Sequence, residues 1–466
     1  RGRGAVYKRQ GHFRLYGEDF ARDPEATYTR MRATGPASWA LIAPGVEVVV
    51  VTSHPAALQT LRSPRYSKDA RRWRALAEGR IPPDSPVLPM MGRRPSLLFA
   101  DAEHHRRLRA PIEEALADVT TPALRADIRT LADGLVDTFA ATGRVDAVVY
   151  AGHLVTVVLA HLLGSTSEQG ERMARACAMM IDAEPATAQR GSADLAAALN
   201  ELIVQRRRLP GRDVTSRLLA APEALNDEEM LHQLVVLIGA GTVPTSAWLT
   251  STLWLLLTDE RFGVSLSGGS LSTADALQEA LWRHSPMANF SVHYLTGEVP
   301  YELEDPTGRL APFVIPPGVP VLISHAAANT DPGALQPSDR AGSPTGNRGH
   351  LAWSAGPHVC PARDLAGVIA EVGIEALLDR LPDIELACDP RDLTWRPGPF
   401  HRALTSLPVT FQPTQPQNRG GSPWTQPDAP SPSTPPVPTS TARPRPSAPG
   451  HRRPRFSFPG MFRRGR

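Results

Sequence analysis

Apolar residues recur at helical spacing through most of the chain, and only a few short stretches alternate as strands do. The run DAEHHRRLRAPIEEALADV (101–119) reads as one helix. LHQLVVLIGAGTVPTSAWLTSTLWLLL (231–257) reads as another, apolar around most of its circumference and so central in a core. ASWALIAPGVEVVVVTSH (37–54) holds Pro-Gly between two strand-like runs, which predicts a hairpin. YELEDPTGRLAPFVIPPGVPVLIS (301–324) is rich in turns and strands, and no period indicates a solenoid. The pattern predicts a mainly α fold with small β-sheets (α+β) over residues 16–412, preceded by a flexible segment, 1–15.

The pattern stops at Pro413. Residues 413–466 are rich in Pro, Ser, Thr and Arg without period, the composition of a disordered tail with polyproline character. Nine Arg against the single acid Asp428 give this tail +8, so the net charge of +3 leaves the body at −5. The plain reading is a solvated tail; the sharper one is a segment that docks an acidic partner or an anionic membrane surface. No nucleic-acid partner is expected of the mildly acidic body. The apolar stretches 154–164 and 231–241 are interrupted by His or Gln and are shorter than a bilayer requires, so no transmembrane segment is expected. The N-terminus has basic residues but no apolar run behind them, unlike a secretory signal. Three cysteines, Cys177, Cys360 and Cys388, are too few and too scattered for a disulfide framework, and a cytoplasmic location fits.

Chemistry concentrates in GHLAWSAGPHVCPARDLAGVIAEVGIEALLDRL (349–381). A Gly/Ser/Pro-rich loop leads into Cys360, and an apolar-periodic helix begins a few residues later. Backbone N–H groups at a helix N-terminus favour a thiolate, the form that ligates iron. An isolated buried thiol is the bland alternative for Cys360, and it is the preferred reading for Cys177 and Cys388.

The segment resembles the haem loop of the cytochrome P450 family, on Trp353, Gly356, His358, Cys360 and the Leu365-Ala366 pair. The resemblance implies a haem b (iron protoporphyrin IX) held between a long distal helix and the Cys-loop helix. Trp353 would pack near the sulfur, His358 would bond a propionate, and Cys360 would bind iron. Two glycine positions are altered, to Ser354 and Ala362. Further segments follow in the family's order. His105 and Arg109, four apart on one helical face, match its two propionate contacts. AAANTDPGALQPSDR (326–340) resembles its Asn-x-Asp-Pro meander, which fixes the register of the loop.

Three departures bear on function. In LQEALWRHSPMANF (277–290), anchored on Ser285-Pro286, Glu279 occupies the Glu of the family's Glu-x-x-Arg pair and Trp282 the Arg. A buried carboxylate then needs another donor, with Arg283 and the Trp282 indole as candidates. An alternative alignment uses Arg283 and puts Ala280 at the Glu position. A subset of actinobacterial P450s is similar in lacking this pair. In LIGAGTVPTSAW (237–248) the small Ala240-Gly241 remains, but Val243 and Pro244 stand where an acid and an alcohol deliver protons. Proline at that place removes a helical hydrogen bond, frees the Ala240 carbonyl and predicts a kink. Thr245 or Thr242 then takes the missing catalytic role, or Thr245 caps the broken backbone. In NFSVHYLTGEV (289–299), His293 replaces a propionate-binding Arg.

By resemblance, the chain is expected to be a monooxygenase of a small apolar substrate, supplied with electrons from NAD(P)H by a ferredoxin reductase and a ferredoxin. Arg363 would contribute to the ferredoxin-facing surface. The altered distal positions and the broken pair at Glu279 keep two alternatives open: a non-oxygenating haem protein, such as a sensor or signalling-complex partner, or a peroxide-dependent haem enzyme. The loops 66–98 and 165–200, where specificity would lie, match no pattern.

Overall fold

The computed structural model describes residues 12–117, 119, 122–180, 185–221, 225–262, 272–305, 307–308, 311–334 and 347–417. Most of the tail and the second half of the meander segment lie outside the described residues.

The strands are β1 (Phe13–Arg14), β2 (Ala37–Ala43), β3 (Val46–Val51), β4 (Tyr66–Ser67), β5 (Arg144–Asp146), β6 (Asn289–Leu295), β7 (Tyr301–Leu303), β8 (Phe313–Ile315), β9 (Val321–Ser324), β10 (Glu385–Leu386) and β11 (Pro408–Thr410). Six of them form one sheet in the order β1-β2-β3-β9-β6-β4. The predicted hairpin is β2–β3, closed where Ala43 faces Val46 across Pro44-Gly45. Gly45 sits at φ +73, a conformation glycine adopts without the penalty a side chain would bring. The sheet begins inside the segment expected to be flexible, because Phe13 and Arg14 pair with Ala40 and Leu41 and Leu15 is fully buried. At the other end the ordered chain runs past 412: the Thr414 amide donates to the Ala140 carbonyl at 2.9 Å and the Gln417 amide to Asp137 Oδ1 at 2.9 Å.

Helices make up the rest of the core. The longest, Asp227–Thr258, starts in a capping box in which the Asn226 side chain and Glu229 satisfy each other's backbone amides. It packs against Ala147–Leu162, Thr273–Arg283 and Arg363–Arg380, the last of which also packs on Pro122–Phe139. Leu154, Leu249, Ile369 and Leu377 meet in this core and are all but inaccessible to solvent. At 32 residues the central helix is long and apolar enough to cross a bilayer, longer than the 231–241 stretch suggested by itself. Its neighbours cover it on several sides, and three acidic residues open it, Asp227, Glu228 and Glu229. Pro244 lies inside it, and the helix runs from Asp227 to Thr258 on both sides of the proline.

Candidate functional site

The proximal loop is built to place one sulfur. The Cys360 amide donates to the Trp353 carbonyl at 2.9 Å, closing the loop three residues before the Arg363–Arg380 helix. Gly356 has φ +69, and a Cβ there would lie 2.4 Å from the Leu61 carbonyl oxygen, so only glycine fits. Ser354, at the other altered glycine position, also lies in the left-handed region, at φ +63. Ala362 has an ordinary φ of −110, which explains why alanine is accepted there. The Trp353 ring meets Trp248 of the central helix edge-on, with centroids 5.2 Å apart. Against the burial of Cys360, the Ala362 N–H donates to its sulfur and acts to lower its pKa, helped by Arg109 and Arg363. Burial is the larger effect and pushes the thiol above its ordinary value. Cys177 is buried in an apolar core and pushed up to about 12, in keeping with an inert thiol.

Cys360 opens onto a cavity of about 290 Å³. One wall carries Cys360, Trp353, Ala362 and Leu365; the facing wall is the central helix, through Ala240, Gly241, Pro244 and Thr245. Gly241 has a packing reason of its own, since a Cβ there would lie 2.7 Å from Leu159 Cδ1 of the neighbouring helix. The two candidate threonines separate. Thr242 Oγ1 donates to the Ile238 carbonyl at 2.8 Å and is not on the cavity wall. Thr245 is on the wall. Leu97, Leu98, Phe99, Met90, Phe290 and Val292 complete an apolar lining on the distal side.

One end of the cavity is polar. His105 and Arg109, both buried in the Ala102–Ala117 helix, converge there with His358, whose ring centroid is 4.0 Å from that of His105. His105 Nε2 is buried without a hydrogen-bond partner among the described residues. Burial, then the nearby cations, holds His105 below its ordinary value and His358 at about 2, so both rings are neutral at physiological pH. Arg109 Nε bonds Glu113 Oε1 at 2.7 Å. His293 is buried, but its Nδ1 is engaged with the Ser291 carbonyl at 2.8 Å and it is not on the cavity wall. Two residues that sequence reasoning did not select are on that wall, Lys68 and His325. Lys68 is buried, and its Nζ donates to Ser291 Oγ at 3.1 Å and the Val292 carbonyl at 3.0 Å. Nothing local in the sequence marks it, because burial of a lysine is set by distant chain.

The broken pair at Glu279 is repaired from two sides. Glu279, 1% exposed, accepts from Arg283 Nε at 2.7 Å and Arg261 Nη2 at 2.8 Å. Trp282 instead sends its indole N–H to the Asn347 carbonyl at 2.8 Å, tying the helix to the chain that enters the Cys loop. Asn329 of the meander makes the parallel tie: its amide donates to the Leu281 carbonyl and Ser285 Oγ, and its oxygen accepts from the Leu351 amide at 2.7 Å.

A buried thiol aimed across an apolar slot, with basic side chains gathered at one end, is the architecture of a haem-thiolate protein. The chain is 30% identical over 404 residues to the cytochrome P450 monooxygenase PikC of Streptomyces venezuelae, covering 85% of this chain and 93% of that one. It is 28% identical over 405 residues to cytochrome P450 107B1 of Saccharopolyspora erythraea, covering 84% and 96%. Among solved structures, testosterone-bound CYP154C4 from a Streptomyces species matches with a TM-score of 0.77 at 28% identity, over 86% of this chain and 98% of that one. No protein-family model matches. The chain belongs to the cytochrome P450 family and is of actinobacterial type. Members of that family are oxidoreductases that bind haem b. The residues present fit that group: a buried thiol, two apolar faces, and a polar end lined by Lys68, Arg109 and His358, behind which the His105 ring has a buried nitrogen with no partner among the described residues.

Proposed function

We propose that this protein is a monooxygenase that inserts one oxygen atom of O2 into a small apolar organic substrate. The second oxygen leaves as water, with electrons passed from NAD(P)H through a ferredoxin reductase and a ferredoxin. The observation that carries this reading is the cavity with Cys360 on one wall and Ala240, Gly241 and Thr245 on the other. The testosterone held by one structural neighbour is a ligand of the same apolar kind. When bound, haem supplies the oxygen chemistry.

The protein's own residues do the rest. Cys360 would hold the haem iron through its sulfur, and the Ala362 N–H and nearby Arg363 favour the thiolate against the burial that raises its pKa. His105, Arg109 and His358 receive the propionate end. Leu98, Phe99 and Phe290 exclude water and hold the substrate by apolar contact. Thr245 takes the proton-delivery role at its hydroxyl, because Thr242 has its own hydroxyl committed to the helix backbone. Arg363, exposed at the start of the Cys-loop helix, belongs to the surface that meets the ferredoxin. We place the haem domain at 16–412, extended by the strand Phe13–Arg14 before it and the chain through Gln417 after it, in the actinobacterial subset without the Glu-x-x-Arg pair and in the cytoplasm, with the Arg-rich tail as a solvated segment that an acidic partner or anionic surface could engage.

A second reading rests on one observation, Val243 and Pro244 at the acid and alcohol positions: a haem protein that senses or signals without oxygenating, or one that uses peroxide. Reduced protein mixed with carbon monoxide is expected to absorb at the thiolate-ligated position, Cys360→Ala to lose that band and Cys177→Ala to keep it. A wild-type band at the neutral-thiol position overturns the ligand assignment. Product formed from O2 with ferredoxin supports the monooxygenase; NADPH consumed only to peroxide supports the second reading.

A further inference from the structure

Lys68 is the unexplained charge of the cavity. It follows β4 in sequence, is 6% exposed, and lies on the wall at the end where His105, Arg109 and His358 converge. Its hydrogen bonds go to neutral oxygens, Ser291 Oγ and the Val292 carbonyl. The nearest acid, Asp101, accepts from the Lys68 backbone amide at 2.8 Å and the Ser67 hydroxyl at 2.5 Å, and no ion pair joins it to the Lys68 ammonium among the described residues. A buried ammonium held only by neutral acceptors is costly, whereas one facing a carboxylate is compensated. The rest of the cavity end, Arg109 and the imidazoles of His105 and His358, offers no carboxylate to the Lys68 amine, so its counter-charge must come from a ligand.

Resting on the haem reading above, we infer that Lys68 pairs with one of the two carboxylates of the haem. It thereby takes over on β4 the role that the resemblance assigns to the β6 position now held by His293. His293 is a poor replacement: its Nδ1 is engaged with the Ser291 carbonyl, and burial holds its ring well below the ordinary histidine range. Lys68 reaches across the same strand, bonding Ser291 and Val292, and lines the cavity; burial pushes its amine down to about 7, and a carboxylate opposite it is what would hold it as an ammonium. Loss of the arginine and retention of a buried lysine are then two sides of one exchange.

The test compares haem b with its dimethyl ester, in which both carboxylates are capped. The rate of haem transfer from the loaded full-length protein to apomyoglobin is measured for wild type, Lys68→Met, Lys68→Arg and His293→Gln. Lys68→Met is expected to release haem b roughly tenfold to a hundredfold faster, the loss typical of a charge-assisted hydrogen bond. It is expected to release the dimethyl ester at the wild-type rate. Lys68→Arg restores most of the retention, and His293→Gln changes it by no more than about twofold. Equal acceleration for haem b and for the ester, or no acceleration for either, overturns the assignment. The carbon monoxide band of each loaded protein reads Cys360 independently. If wild type lacks that band, the haem-thiolate reading fails; if the band stands and Lys68→Met is silent, only the lysine assignment fails.

Discussion

The two walls of the cavity are built on different principles. The proximal wall is a loop held by backbone hydrogen bonds, a positive-φ glycine and polar ties from Trp282 and Asn329. The distal wall is a single long helix that carries no titratable side chain from Leu234 to Thr258 and whose contacts are almost all apolar. The two walls therefore treat polar groups in opposite ways. On the proximal side, where a carboxylate must stay buried, Arg261 and Arg283 replace the missing partner of Glu279. On the distal side, Val243 and Pro244 leave nothing charged to compensate, and helix packing tolerates them. A site keeps the polar groups its fold needs more strictly than those its chemistry uses.

The largest expected difference between the walls is in acid. Burial holds His284 at about 3 and His325, His350 and His401 at about 4, all on the proximal and sheet side. The charged groups facing them include Arg402 and Arg283 at His284, Lys68 at His325, Arg348 at His350 and Arg396 at His401. Each folded value lies below the unfolded one near 6.5, so the stability these residues confer is complete above about pH 6.5 and is lost as pH falls towards 4. Roughly 1.4 kcal/mol per histidine and pH unit sums to several kcal/mol by about pH 5. Urea unfolding of the haem-free protein from pH 7.5 to about 5 is expected to show this fall, first in probes on the proximal side. A flat profile breaks the comparison.

Two glycines sharpen it further. Gly356→Ala adds a left-handed penalty of about 1–2 kcal/mol and a collision with the Leu61 carbonyl, so a loss of at least about 3 kcal/mol is expected. Gly239→Ala, on the distal helix with nothing near its Cβ position, is expected to gain about 0.5–1 kcal/mol in the haem-free protein. Chemical denaturation of both variants measures the contrast directly. Next in size is Trp282→Phe, which removes the hydrogen bond to Asn347 while keeping an aromatic ring; a loss of about 1–2 kcal/mol is expected, read the same way.

The same division governs what the sequence discloses. The central helix, the 37–54 hairpin and the loop ahead of Cys360 are local patterns, and each is found where its periodicity or turn residues put it. Arg283 was a visible candidate for Glu279 because it is one helical turn away. Arg261 was not, since it comes from the chain just beyond the central helix, 18 residues before Glu279 in sequence. Lys68 sits in the 66–98 stretch, whose composition matches nothing, and only the return of β6 beside β4 makes it part of the cavity. The separation of Thr245 from Thr242 likewise needed the helix to be rotated against its neighbours before one hydroxyl faced the cavity.

The smallest expected effect is at Ser354, and it tests whether the proximal wall is strained where it departs from glycine. Ser354 holds φ +63, a conformation that costs a side-chain-bearing residue about 1–2 kcal/mol, and its buried hydroxyl has no hydrogen-bond partner among the described residues. Ser354→Gly removes both costs, against roughly 0.5–1 kcal/mol of added chain entropy in the unfolded state. The net expectation is a gain of about 0.5–1 kcal/mol in the haem-free protein, seen as a higher urea midpoint at unchanged slope. The serine also lines the cavity, so its hydroxyl has a second use available in the loaded protein. If Ser354→Gly stabilises the haem-free protein but shortens haem retention, that hydroxyl is spent on the bound group. If it stabilises both states equally, the serine is strain that the rest of the proximal wall is strong enough to carry.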